Sequence, residues 1–227
     1  MSALTTQRLS FSSDLVSAVV LRDAVEVPIT ERSVVVNCAM TDAFTGTAQL
    51  APLPPLSSTI VSAGTVTGEL VVVVVPRDSA DTEQLARKHG WLDFYGSGGP
   101  VLLKSSQDTI GTVEIDRRVI LRQIGLPSGP APFTVRANLW FSPAGTDCGI
   151  HNVHPFIEVH TQISGYGRMQ KFDANDHASL YEDQQLSPGT TNPVPFCIDR
   201  DSELVYPWHQ YRADTDCLWL ALEYHEA

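Results

Sequence analysis

A chain of 227 residues with 43% hydrophobic side chains can bury a full core, as one large β domain or two smaller ones, which excludes disorder as its main state. Its formal net charge of -11 argues against a phosphate-backbone partner, because nucleic-acid binding needs a basic face. No apolar run is long enough for a membrane-spanning helix, since the most apolar one, residues 70–75, is closed by Pro76.

Residues 1–13 are polar and Ser/Thr-rich and lack the charged start, apolar centre and small-residue end of a signal peptide, so a cytoplasmic protein is expected. Cys38, Cys148, Cys197 and Cys217 form no C-x-x-C pair and read as small buried residues, with Cys148 the one beside a motif.

Only 18% of residues are charged, and Val, Thr, Pro and Gly recur in short runs, a composition that favours strands and turns. Apolar segments at residues 15–21, 33–40 and 69–75 read as strands, the last buried on both faces, with the Pro-Leu-Pro-Pro turn at 52–55 between them. Residues 82–89 predict a short helix: Asp81 and Gln84 make a capping-box pattern, and Gly90 stands where a C-terminal cap belongs. After the Gly-rich stretch 95–100, strands are predicted at 109–115, 118–124, 134–141, 154–163 and 217–224, with a turn at 127–132. The architecture expected is all-β, closed as a sandwich or barrel. Arg117 and Arg118 read as a solvated edge, Trp208 and Trp219 as packing residues.

The segment 154–163 carries the chemistry. Alternate side chains of a strand share a face, so His154, Phe156, Glu158, His160 and Gln162 lie on one side and Pro155, Ile157, Val159, Thr161 and Ile163 on the other. A face of imidazoles, carboxylate and amide opposite an aliphatic face suits a polar cavity inside a barrel whose outer layer packs against something else. Imidazole nitrogens with a carboxylate oxygen suit Fe, Mn, Ni, Co or Zn, and one strand does not complete such a site. The sequence offers His209 as a remote ligand.

The run Gly149-Ile-His-Asn-Val-His-Pro-Phe-Ile-Glu-Val-His-Thr-Gln-Ile-Ser-Gly-Tyr-Gly167 is similar to the first motif of the cupin superfamily, with His154, Glu158 and Gly165 at its intervals. Residues 206–224 resemble the second motif: His209, an acidic turn at 213–216 and a closing apolar strand. The resemblance implies a cupin-type double-stranded β-helix (jelly roll) over residues 101–227, with residues 1–100 as a β-rich N-terminal part, either a degenerate cupin half or a barrel extension. It implies one divalent transition metal, Fe(II) favoured and Zn, Mn or Ni as alternatives, on His154, Glu158 and His209. Where the motif has its first His this chain has Asn152, so the fourth ligand is Asn152, His151 or His160. His151 and His160 are also candidate acid/base groups. Gln162, Tyr211, Arg168 and Asn152 are candidates for substrate binding. The run Pro188-Gly189-Thr190-Thr191-Asn192 also resembles the second motif, with Asn for His, and residues 172–205 are expected to form a long lid or substrate-binding loop.

The first expectation for function is an Fe(II) dioxygenase or oxidase acting on a small organic molecule. The alternatives are a metal-dependent isomerase, epimerase or lyase, and a non-enzymatic small-molecule-binding barrel. No nucleic acid and no membrane are expected as partners, and a homodimer is.

Overall fold

The computed structural model describes residues 4–77, 79, 81–126, 129–192 and 196–227. The first sheet is built from β1 (Thr5–Arg8), β2 (Val16–Ile29), β3 (Ser33–Asn37), β4 (Ala43–Gly46), β5 (Leu50–Leu53), β6 (Ser58–Val61) and β7 (Gly64–Pro76). Its strands run in the order β1-β2-β7-β3-β6, with β4 pairing β5 and β7. β7 carries the Val run, and its side chains part by strand parity: Val72 and Val74 enter the large core while Val71 and Val73 enter a second one on the other face.

Helix α1 (Thr82–Lys88) starts where Asp81 Oδ1 accepts from Gln84 N at 3.0 Å, and Gly90 follows with φ +75°. The chain then enters β8 (Leu92–Asp93), β9 (Leu103–Lys104) and β10 (Asp108–Ile115), so the second sheet starts upstream of residue 100. The strand expected at 118–124 is instead one helical turn, α2 (Arg117–Ile120), because Asp116 caps it by accepting from Arg118 N and Val119 N. Arg117 is no solvated edge group: it pairs with Asp199 at 2.7 Å and with Glu226. Of the turn expected at 127–132, residues 127 and 128 lie outside the described residues.

The remaining strands are β11 (Ala131–Ser142), β12 (Thr146–Asp147), β13 (Ile157–Ser164), β14 (Gly167–Phe172), β15 (Leu180–Leu186), β16 (Ile198–Arg200), β17 (Glu203–Val205), β18 (Trp208–Ala213) and β19 (Cys217–Glu226). The second sheet has the order β13-β19-β11-β9-β8, with β10 on β11, and the third has β12-β18-β14-β15. The chain passes back and forth between these two sheets, from β11 to β12, to β13, to β14, and from β18 to β19. All their pairings are antiparallel. This is the strand exchange of a jelly roll.

The second sheet is the shared wall. Phe133, Val135, Leu139 and Phe141 of β11, Ile157, Val159 and Ile163 of β13, and Leu218, Leu220, Leu222 and Tyr224 of β19 join one core with Val16, Val20, Val34, Val36, Val72 and Val74 of the first sheet. Tyr224 Oη donates to Cys38 O across that boundary at 3.0 Å. The opposite faces of the same strands look toward the third sheet, where Cys217 and Trp219 meet Met169, Tyr211 and Ala213. The β-rich N-terminal part is thus the packing layer that lets a strand such as β13 be apolar on its outer face and polar on its inner one.

Residues 172–205 are not one long loop. β15 pairs with β14, and β16 with β17. Gly189, Thr190 and Asn192 bond the backbone of Gln162 and His160, so this segment seals the edge of β13. Residues 193–195 lie outside the described residues.

Candidate metal centre

His209 lies on β18 of the third sheet and is fully buried. His151 is brought beside it by an isolated antiparallel bridge, with His151 N donating to His209 O at 2.9 Å and His209 N to His151 O at 2.8 Å. His154 stands ahead of β13, which begins at Ile157 rather than at 154. Its ring reaches across to His209, the two Nε2 atoms 3.1 Å apart. The ligand atoms of His151, His154 and His209 all lie within 4.8 Å of one another.

Two of the three imidazoles have fixed tautomers. His151 Nδ1 lies 2.9 Å from Gly149 O and His209 Nδ1 2.8 Å from Pro207 O. A carbonyl only accepts, so each Nδ1 carries the proton and each Nε2 presents a lone pair. Such second-partner bonds are what orient metal-ligating histidines.

Glu158 faces the same point from β13. Its Oε2 is 3.8 Å from Nε2 of both His154 and His209 and is buried with no hydrogen-bond partner. A buried carboxylate oxygen facing imidazole nitrogens is an arrangement that favours a positive charge between them. Two nitrogens each about 2.1 Å from one ion stand about 3.0–3.4 Å apart in octahedral or tetrahedral geometry. The His154–His209 separation lies in that range, so these residues fit a bound cation.

Burial pushes the His209 imidazole down to about 4, against the opposing charge of Glu158, and lowers His154 for the same first reason. Burial alone would raise Glu158, but the His160 imidazole and then those of His154 and His209 hold it below the usual carboxylate range. His154 and His209 held neutral beside an ionised Glu158 are in the protonation states a metal needs.

His160 serves the other oxygen. Its Nε2 lies 3.1 Å from Glu158 Oε1 and its ring stacks on Tyr211 at 4.2 Å between centroids, outside the three-histidine cluster. Tyr206 ties the approach together: its hydroxyl donates to Phe156 O and accepts from Glu158 N, both at 2.9 Å.

A cavity of about 560 Å³ opens on this cluster, lined by His151, His154, Glu158, His160, Tyr211, Trp219 and Glu223, and by Phe94, Tyr95, Leu102, Lys104, Trp140, Cys148, Ile150 and Phe156. Of the residues expected to touch substrate, Tyr211 lines it. Asn152, Gln162 and Arg168 do not: Asn152 is half-buried beside His151, Gln162 is turned into the strand wall with Nε2 donating to Ser164 O, and Arg168 is paired with Asp183 and Asp214. Asn192 is no ligand either, for its Oδ1 accepts from His160 N. Phe94, Tyr95, Lys104, Trp140, Tyr206 and Glu223 were not singled out by the sequence, and they reach the site from remote strands and loops. Burial raises the Cys148 thiol to about 12, which leaves it unreactive in this wall. Among the described residues no helix is long and apolar enough to cross a membrane.

No family model matches the chain, and no curated protein matches it by sequence. Solved structures similar to it include a conserved protein of unknown function from Streptococcus pyogenes, at 16% identity and TM-score 0.30, covering 41% of this chain and 66% of that one. Ectoine synthase from P. lautus matches at 16% identity and TM-score 0.29, covering 41% and 55%. Bacillus subtilis oxalate decarboxylase, described with Mn(II) centres, matches at 11% identity and TM-score 0.31, covering 95% and 70%. The chain spans about two thirds or less of the length of the first two. With strands exchanged between two facing antiparallel sheets and an imidazole–carboxylate cluster between them, the described residues are mostly β-strand, and β11 to β19 form a jelly roll.

Proposed function

We propose that this protein is a metal-dependent enzyme acting on a small organic molecule, with Fe(II) as the favoured ion, Zn, Mn or Ni as alternatives, and a dioxygenase or oxidase reaction as the favoured chemistry. The observation that carries the reading is the convergence of His151, His154 and His209 beside the unpartnered Oε2 of Glu158. Borderline nitrogen donors with one carboxylate suit these ions, and four protein groups leave coordination positions free. A bound ion would supply those open positions and a Lewis acid. The chain's own part is to fix the imidazoles through Gly149 O and Pro207 O and to line the reacting end with the rings of Phe94, Trp140 and Phe156.

Elemental analysis after reconstitution with Fe(II) tests the metal: about one ion per chain is expected, lost in His154→Ala and His209→Ala. A reconstituted protein without a transition metal would overturn the reading. A second reading, a metal-dependent isomerase or lyase, is favoured by His160, an imidazole stacked on Tyr211 in the cavity wall where a proton can be passed. Turnover that persists without oxygen and with Zn or Mn selects it over the oxidative one.

A further inference from the structure

Lys104 enters the metal cavity from β9, two strands away from β19 in the second sheet. Its ammonium lies over the Trp140 ring, 4.9 Å from the centroid, and 3.4 Å from Glu223 Oε1. Both partners line the cavity, so the charged end faces it, although Lys104 also borders a smaller hollow beside Trp91 and Ser105. Among the described residues it is the only lysine or arginine that lines the metal cavity, and its side chain is 24% exposed, open to a ligand.

Glu223 does not use up that charge. Its Oε1 accepts from Asn138 Nδ2 at 2.9 Å and its Oε2 lies 3.0 Å from His225 Nε2, so the carboxylate is held without the lysine. At 3.4 Å the Lys104 contact is long for an ammonium–carboxylate pair, which closes to 2.7 Å between Lys171 and Glu182. An ammonium has three N–H donors. One goes to Glu223 and Trp140 offers only its ring face, so Lys104 keeps donors to give to an anion. Glu223 stands opposite Glu158 in the β13–β19 register, one strand spacing of about 4.8 Å away. The ammonium is thus set beside the metal cluster but outside it.

We propose that Lys104 anchors a carboxylate of the substrate, whose apolar body lies against Phe94 and Trp140, two rings 5.3 Å apart between centroids, and whose reacting end meets the histidine cluster. The substrate class is then a small monocarboxylic acid with an apolar or aromatic body. A neutral analogue forfeits the charge-assisted bond, and an amine meets Lys104 as a like charge. This deepens the enzymatic reading and rests on it for the reacting end. Lys104 is no part of the metal cluster, so the two fail separately.

Three probes of one shape separate the cases: 3-phenylpropionate, its neutral amide 3-phenylpropanamide, and the cation 3-phenylpropylamine. Their affinities are to be measured by calorimetry on the full chain, metal-free and again after reconstitution with Zn(II). In both forms the acid should bind about fivefold or more tighter than the amide, the scale of a charge-assisted bond at a partly exposed site, with the amine weakest. Lys104→Met keeps an apolar stem on Trp140 and leaves Glu223 its other partners, so it should fold. It should cut the acid-to-amide ratio to about twofold or less, with amide affinity changed by less than about twofold. Lys104→Arg should restore the ratio.

An acid that binds no tighter than the amide, an amine that binds tightest, or no binding of any probe overturns the anchor. A preference for the acid that survives Lys104→Met overturns it too, and where it is seen only with Zn(II) it belongs to the metal. Equal loss for all three probes in Lys104→Met marks a structural role and likewise overturns it. Failure of the metal reading appears independently as absence of bound metal, with the Lys104 effect still readable in the metal-free protein.

Discussion

Nε2 of His154 and Nε2 of His209 stand 3.1 Å apart although 55 positions separate them along the chain. Because His209 Nδ1 is committed to Pro207 O, its Nε2 has only a lone pair to offer. The contact is therefore either a hydrogen bond from His154 or the edge of a coordination shell, and Glu158 Oε2 at 3.8 Å from both supplies the charge that favours the second.

His151 and His160 should separate cleanly as variants. His151 contributes an atom to the three-histidine cluster, whereas His160 reaches Glu158 through its other oxygen, Oε1. His151→Ala is expected to weaken metal binding by about 100-fold or more and His160→Ala by about tenfold, the scale for a ligand and for a group behind one. Calorimetric titration with Co(II) or Mn(II) measures both. A larger loss for His160→Ala than for His151→Ala would reverse the assignment.

The sequence made β13 legible because parity is a local property. Glu158 and His160 face the cavity and Ile157, Val159 and Ile163 the outer core, as alternation requires. Parity does not extend to His154, because the chain is no longer a strand there, and it is Tyr206, 50 residues from Phe156, that fixes this approach. His151 entered the site by a bridge to His209, a pairing between remote segments that no spacing rule contains. The strand expected at 118–124 is replaced by a helical turn for a local reason: Asp116 is a good N-cap for the residues that follow it. Arg168 is near the motif in sequence, but Asp183 and Asp214 come from β15 and the turn before β19 to hold it.

Tyr206→Phe tests the bridge between the two halves of the motif. The ring contact with His154, 4.9 Å between centroids, survives, but Phe156 O loses its donor and Glu158 N its acceptor. The cost should be about 1–3 kcal/mol in urea unfolding, as for buried groups left unpaired. Metal affinity should fall by about three- to tenfold because His154 and Glu158 are no longer held in register. Unchanged stability and affinity would show that the hydroxyl bridge does not organise the site.

Gly165 closes the β13–β14 turn with φ +75°, a conformation that L side chains rarely adopt, and a Cβ there would run into the carbonyl oxygen of Asp216. The atom struck is backbone, which does not swing aside as the end of a flexible side chain would. Gly165→Ala should cost about 2 kcal/mol or more, read as a lowered midpoint in chemical denaturation. Gly145, also at positive φ (+78°), meets nothing within 4 Å of a built Cβ, so Gly145→Ala should cost only the strain of its backbone and serves as the control.

The metal-free protein should be acid-labile in a defined window. His209 titrates at about 4 when folded and at about 6.5 when unfolded. Between those values the unfolded chain binds a proton that the folded one refuses, so stability is present above about 6.5 and is lost as pH falls toward 4. The full difference corresponds to about 3 kcal/mol. The lowered value of His154 acts in the same sense, and that of Glu158 extends the loss below the ordinary carboxylate range. Urea unfolding in the presence of a chelator at pH 7.5, 6.0 and 4.5 measures the slope. His209→Gln, which keeps a buried amide but cannot titrate, should flatten the profile over that window. A variant whose stability falls with acid in parallel with the wild type would show that protonation of His209 is not what the fold resists.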